Sequence, residues 1–309
     1  MKASFIFILS LSLLLSLSCK KDHPGNETPD EPEIETGYSK LKKITSTSSY
    51  RGNVGSISYE ITSDSINNKI MIKSASAADS VSRTYSYNSN NQLVLYEVKR
   101  SSKDVGVYLS RMELNRNTEG QLTKVLSEYT DGGKSEGVCQ YEKNRDTTFI
   151  TFIDTANKSK YWQYERYTVG LVKNRIVSTI DYDNSFNGVV TTIKQHFTYD
   201  GSNNLIQITS QYNDNPTGTQ TYVRGNQSAK ELQKFFNRLG GDIMWFKRYS
   251  DYRFMNFLTT IADDYFLMGN VVEQAGNYIY TNEFDSVGNL KKISFNEYYR
   301  TTYEFEYWP

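Results

Sequence analysis

Apolar and polar residues alternate with a period of two along much of this chain. Ile57-Ser58-Tyr59-Glu60-Ile61 and, near the C-terminus, Tyr303-Glu304-Phe305-Glu306-Tyr307 are the plainest cases. Between them lie Leu93-Val94-Leu95-Tyr96-Glu97-Val98, Phe149-Ile150-Thr151-Phe152-Ile153, Arg175-Ile176-Val177-Ser178-Thr179-Ile180 and Leu205-Ile206-Gln207-Ile208. Each is bounded by Asn, Asp, Gly or Ser, and each reads as a β-strand. The pattern predicts an all-β, antiparallel meander of hairpins, as a curved sheet or a barrel.

One stretch has helical spacing instead. Ser228-Ala229-Lys230-Glu231 has the form of a capping box, with Ser228 at N-cap and Glu231 at N3. Leu232, Phe235, Phe236 and Leu239 then share one face, and Gly240-Gly241 ends the run. This predicts one inserted amphipathic helix. The residues after it are dense in large apolar groups, among them Met244, Trp245, Phe246, Tyr249, Tyr252 and Phe254. The whole insertion, about 228–268, is expected to be buried as a plug, or to act as a lid over a pocket.

The turns between strands repeat. Tyr87-Asn88-Ser89-Asn90-Asn91-Gln92-Leu93 matches Tyr199-Asp200-Gly201-Ser202-Asn203-Asn204-Leu205, and Phe284-Asp285-Ser286-Val287-Gly288-Asn289-Leu290 matches both, at identical internal spacing. Leu114-Asn115-Arg116-Asn117-Thr118-Glu119-Gly120-Gln121-Leu122 reads as the same unit with two residues added. Tyr59, Tyr87, Leu114, Tyr141 and Tyr167 recur about every 27 residues, the length of two strands and two turns. Asp or Asn caps its own backbone, Gly or Asn supplies positive φ, and Leu opens the next strand on its buried side.

The aromatic-Asp-x-x-Gly-Asn-Leu unit resembles the YD repeat of bacterial surface and toxin-shell proteins. The chain as a whole is similar to Bacteroidetes lipoproteins grouped as domains of unknown function, some described as porin-like in fold. Only Phe284 to Leu290 carries the full unit. The resemblance implies an architecture and no particular activity.

The N-terminus reads as an export signal. Lys2 precedes an apolar run from Phe5 to Leu17, too short to span a membrane, and Ser18-Cys19-Lys20-Lys21-Asp22 follows. This is the lipoprotein arrangement, with Cys19 as the lipidated residue. It departs from the usual pattern at Ser16, where Leu is expected, with Leu15 one place earlier. Residues 1–18 are thus the expected signal peptide, and 19–37 the lipidated Cys and an acidic, Pro-containing tether that buries nothing. Residues 38–309 form the expected single β domain. The resulting location is the cell envelope, as an outer-membrane lipoprotein, periplasmic or surface-exposed.

Composition narrows the choice of function. The chain of 309 residues has 35 basic and 35 acidic side chains, which argues against nucleic acid as a partner. With Cys19 assigned to lipid, Cys139 has no disulfide partner. The 25 Tyr and 15 Phe against 5 Pro favour half-buried strands.

Catalytic candidates are sparse. His23 falls in the tether, and His196 alternates along a strand. Asp181 and Asp183 flank Tyr182, and Asp263-Asp264 lies in the insertion; both pairs suit turns or caps better than glycoside chemistry. No nucleophile elbow, zinc helix or phosphate loop occurs, and no cofactor or metal is expected. Trp245, Tyr249, Tyr252 and Trp162 could stack on sugars. Asp-Ser/Thr triplets at Asp64, Asp79, Asp146, Asp154 and Asp285 look like O-glycosylation acceptors, and turns explain them equally well. The reading is a non-catalytic envelope lipoprotein that binds glycan, protein or an apolar ligand. A structural protein acting through partner contacts is the alternative, with a surface glycoside hydrolase behind it.

Overall fold

The computed structural model describes residues 39–50, 53–75, 79–103, 106–154, 164–173, 175–186, 189–240, 270–296 and 300–309. The first nine strands are β1 (Leu41–Tyr50), β2 (Asn53–Asp64), β3 (Lys69–Ala75), β4 (Asp79–Tyr87), β5 (Leu93–Ser102), β6 (Gly106–Arg116), β7 (Leu122–Tyr129), β8 (Lys134–Asn144) and β9 (Thr147–Asp154). Then come β10 (Tyr164–Val172), β11 (Arg175–Phe186), β12 (Val189–Tyr199), β13 (Leu205–Tyr212) and β14 (Asn215–Arg224). Helix α1 (Lys230–Gly240) precedes β15 (Val272–Ala275), β16 (Tyr278–Phe284), β17 (Leu290–Asn296) and β18 (Arg300–Tyr307).

Each strand pairs antiparallel with the next, and β18 pairs back onto β1, with Phe305 opposite Ile44 and Tyr303 opposite Ser46. The 18 strands therefore close into one up-and-down barrel. Closure removes both open edges that a curved sheet would leave.

The two faces of the wall differ. Ile44, Tyr59, Ile61, Ile70, Ile72, Tyr85 and Leu114 are buried and belong to one apolar core, which fills the enclosed side. The residues that alternate with them are mostly polar and at least partly exposed, with charged pairs among them. Lys43 meets Glu306 at 3.3 Å, Lys134 meets Glu128 at 2.7 Å and Lys292 meets Glu283 at 3.3 Å, each pair directly opposite across neighbouring strands. Such exposed pairs add little stability individually. Their placement is more telling: a barrel embedded in lipid carries an apolar band outside, and here the apolar face is inside.

Helix α1 spans 11 residues with Leu232, Phe235, Phe236 and Leu239 buried. It lies against β1 and β5, across the end of the barrel where the chain enters β1. The apolar stripe joins the core, as a plug would. The capping differs from the expected box. Ser228 donates to Gln233 Oε1 at 3.1 Å, and the Glu231 carboxylate accepts from Lys40 N–H at 2.8 Å instead. The Glu231 carboxylate is shared between the chain entering β1 and Lys234 Nζ at 3.2 Å, and Ser39 adds a bond to the Glu231 carbonyl.

Candidate functional site

Four turns at the α1 end share one construction. Asn88, Asn117, Asp200 and Asp285 each accept, through Oδ1, the backbone N–H groups two and four residues on, at 2.8–3.1 Å. Their second side-chain atom bonds the side chain four on: Gln92, Gln121, Asn204 or Asn289. Asn91, Gly120, Asn203 and Gly288 hold positive φ in the same place. The second unit is thus Arg116-Asn117-Thr118-Glu119-Gly120-Gln121-Leu122, with nothing added; Arg116 stands where the others have an aromatic residue. The hydrogen bonds of Asn117 decide that alignment.

Each turn is followed by a β-bulge. The register slips between Ser86 and Tyr87, Asn115 and Arg116, Thr198 and Tyr199, and Glu283 and Phe284. The extra residue spaces the buried positions by three rather than two: Leu93 and Tyr96, Leu122 and Val125, Leu205 and Ile208, Leu290 and Ile293. A bulge also leaves a carbonyl without its ladder partner. Arg116 Nε and Nη2 donate to Leu93 O at 3.2 Å, Arg224 Nε donates to Leu205 O at 2.9 Å and Tyr307 Oη donates to Leu290 O at 2.8 Å. Each donor is the last residue of its strand. Burial pushes the Arg224 guanidinium down to about 10, against the opposing pull of Tyr222, Tyr199 and Asp200, so it stays charged at neutral pH.

The turns before β5 and before β7 lie side by side, tied by Gln92 Nε2 donating to Gly120 O at 3.0 Å and Arg116 Nη1 to the same carbonyl at 2.9 Å. Between them, on the outer wall, runs a groove of about 430 Å³. Asn90, Asn115 and Thr118 stand exposed along it, and half-buried Val94 and Leu95 form an aliphatic ledge. Arg111 and Glu113 pair at 2.8 Å on its wall.

Inside the barrel, Arg83 is buried at 8% exposure beside Tyr59, Tyr85 and Tyr96, and Tyr59 in turn neighbours Tyr303. Arg83 donates to the Tyr96 hydroxyl, which in turn donates to Tyr85, and the two phenol rings lie 4.9 Å apart. Burial pushes Tyr85 and Tyr96 well above the usual phenol range, with Arg83 offsetting only part. These phenols remain protonated at neutral pH and are hydrogen-bonding groups rather than bases.

The residues singled out from sequence fall elsewhere. Cys19, Trp162, Trp245, Tyr249 and Tyr252 lie outside the described residues, as do Asp263 and Asp264. His196 is exposed on β12, opposite Ser178 and Thr209. Asp181 and Asp183 occupy β11 opposite Tyr167 and Tyr164. Cys139 is partly buried against the core. Of the triplets, Asp64 and Asp285 form Asx turns, with Ile66 94% and Val287 80% exposed. Sequence reasoning missed the groove and the Arg83 layer. The one signal for the groove was two repeat units a single hairpin apart, which no other pair of units shows.

No protein-family model matches the chain, and no curated protein matches it. Two solved structures show a partial likeness. A porin-like protein from Bacteroides uniformis ATCC 8492 has a TM-score of 0.38 and 12% identity, over 88% of this chain and 99% of that one. A porin-like protein from Bacteroides vulgatus ATCC 8482 has a TM-score of 0.32 and 10% identity, over 87% and 98%. Values this low leave the architecture of this chain resting on its own strand pairing.

Proposed function

We propose that this chain is a non-catalytic cell-envelope lipoprotein, held to a membrane by lipid on Cys19, whose barrel serves as a rigid binding module. The observation that carries the reading is the polarity of the wall. Charged pairs such as Lys43–Glu306 face outward and the apolar core faces inward, so the barrel itself offers lipid no matching surface. Attachment then falls to the leader, Phe5 to Leu17 followed by Ser18-Cys19. The tether of residues 19–37 can extend to roughly 60 Å, which lets a charged barrel stand clear of the headgroups.

The titratable groups at the centre of the barrel support a non-catalytic role. Tyr85 and Tyr96 are held protonated, and His196 stands alone on the outer face among the described residues. The test is metabolic labelling with an alkyne-tagged fatty acid in the native host, followed by membrane fractionation. Wild-type protein takes the label and sediments with membranes, whereas Cys19→Ala takes none and is released. Equal labelling of the variant, or unchanged sedimentation, would overturn the anchor. Native against denaturing mass of the extracted protein then reports any retained ligand.

A further inference from the structure

We propose that the groove between the β4–β5 and β6–β7 turns is a binding site for an uncharged oligosaccharide. This deepens the binding-module reading and rests on it for biological context, but the geometry of the groove stands apart from the lipid anchor. At about 430 Å³ the groove falls within the range of sites that hold small ligands, roughly 300–1,000 Å³. It is open along its length, as a chain-like ligand requires.

The chemistry of the walls selects the ligand. The Asn90 and Asn115 amides each offer two donors and an acceptor oxygen, and the Thr118 hydroxyl offers both. Groups that donate and accept at once suit vicinal hydroxyls, which do the same. Charge selects against anions. Arg111 is paired with Glu113 at 2.8 Å, and Arg116 is committed to the carbonyls of Leu93 and Gly120. The Val94–Leu95 ledge supplies an apolar surface for the C–H face of a sugar ring.

The site is also held rigid before any ligand arrives. Both turns are closed by their own Asx bonds, and Gln92 ties one to the other. Binding therefore orders little protein, and this lowers the entropic cost that weakens shallow sites. The two free positions of the repeat, whose side chains the turn does not need, supply Asn90 and Thr118. The Asp200 and Asp285 turns repeat the backbone but have no twin beside them.

The experiment uses full-length protein extracted in detergent and an array of neutral hexasaccharides of glucose, xylose and mannose, with hexagalacturonate as the charged control. The strongest hit is then titrated calorimetrically against wild type and the Asn90→Ala/Asn115→Ala double variant. Both residues are exposed and neither side chain closes a turn, so the variant keeps the melting temperature. The expected result is binding of a neutral hexasaccharide, weakened about tenfold in the double variant, from two lost hydrogen bonds. Binding that survives the double variant overturns this site while leaving a binding module elsewhere on the chain. Equal binding of hexagalacturonate, or no saccharide binding at all, overturns the proposed ligand class. Neither result bears on labelling at Cys19.

Discussion

The Arg238 guanidinium of α1 lies 4.3 Å from the centre of the Tyr87 ring, the aromatic residue that opens the first repeat turn. Arg238 is 4% exposed, and its Nη2 donates to Asn68 Oδ1 at 2.6 Å. Asn68 in turn donates to Asn88 O at 2.7 Å. One buried cation thus joins the helix to the β2–β3 turn and the β4–β5 turn together.

That contact should be worth more than an exposed ion pair. Arg238→Ala is expected to lower the unfolding free energy by about 2–4 kcal/mol, from the lost cation–π contact and charged hydrogen bond. Arg238→Lys should fall between the two, because an ammonium keeps the ring contact but not the planar fork. Urea denaturation measures both; an unchanged midpoint for Arg238→Ala would show that α1 is held by its apolar face alone.

The repeat turns predict an acid limb. Burial alone would raise the Asp200 and Asp285 carboxyls, but hydrogen bonds from Asn204 and Ser202, and from Asn289, Val287 and Gly288, outweigh it and hold both below the usual value. A carboxyl depressed in the fold contributes stability above its unfolded pKa of about 3.9 and loses it as pH falls through the folded value. The equivalent Asn88 and Asn117 cannot titrate. The Asp200→Asn/Asp285→Asn variant should therefore lose less stability than wild type below about pH 4. Flipping of the Asn289 amide would keep that side-chain bond, as Asn88 already bonds Gln92, whereas at Asn204 a flip turns the oxygen away from the Asn270 N–H, a loss that is the same at every pH. Denaturation midpoints across pH decide it; parallel curves for the two proteins would count against the assignment.

Gly288 isolates a backbone effect. Its φ is +88° and a Cβ there meets nothing within 4 Å, so Gly288→Ala carries strain without a clash. It should cost about 1–2 kcal/mol. Asn203, at φ 68° in the same position of its own turn, should become Gly with a change of only a few tenths. Thermal melts of both variants provide the comparison, and equal losses would contradict it.

Gly137 isolates the opposite case. A Cβ there would sit 1.8 Å from Cζ of the buried Phe152 ring, which crosses from the neighbouring strand. Gly137→Ala should destabilise by about 1–3 kcal/mol through overpacking. Adding Phe152→Leu should cost less in the Gly137→Ala background than alone, a coupling read from a double-mutant cycle. Additive losses would mean that the ring moves aside freely.

Much of this architecture was legible in residue order. Alternation at Tyr59 and Ile61 places both on the core face, and the recurrence of Tyr59, Tyr87, Leu114, Tyr141 and Tyr167 puts one on each of β2, β4, β6, β8 and β10, all buried except Tyr141, which is half-buried against the core. The Leu232-Phe235-Phe236-Leu239 stripe marks α1 to within one residue of its end at Gly240. The three-residue spacing from Leu93 to Tyr96 was visible as well, yet its cause was not. Strict alternation would have turned Tyr96 outward, and only the pairing with β4 shows the bulge that returns it. Likewise Arg116 has the wrong side chain for an aromatic position, and its role appears only beside the Leu93 carbonyl.

The sequence by itself determined local matters: which residues bend, which face of a strand avoids water, and where a helix interrupts the hairpins. These follow from φ preferences and from periods of two and 3.6, which act over a few residues. The tertiary structure alone decided that β18 meets β1, that Arg238 reaches Asn68, 170 residues distant in the chain, and that two repeat turns stand close enough to frame a groove. Those outcomes depend on the cumulative twist and register of 18 strands, and no single segment carries that sum.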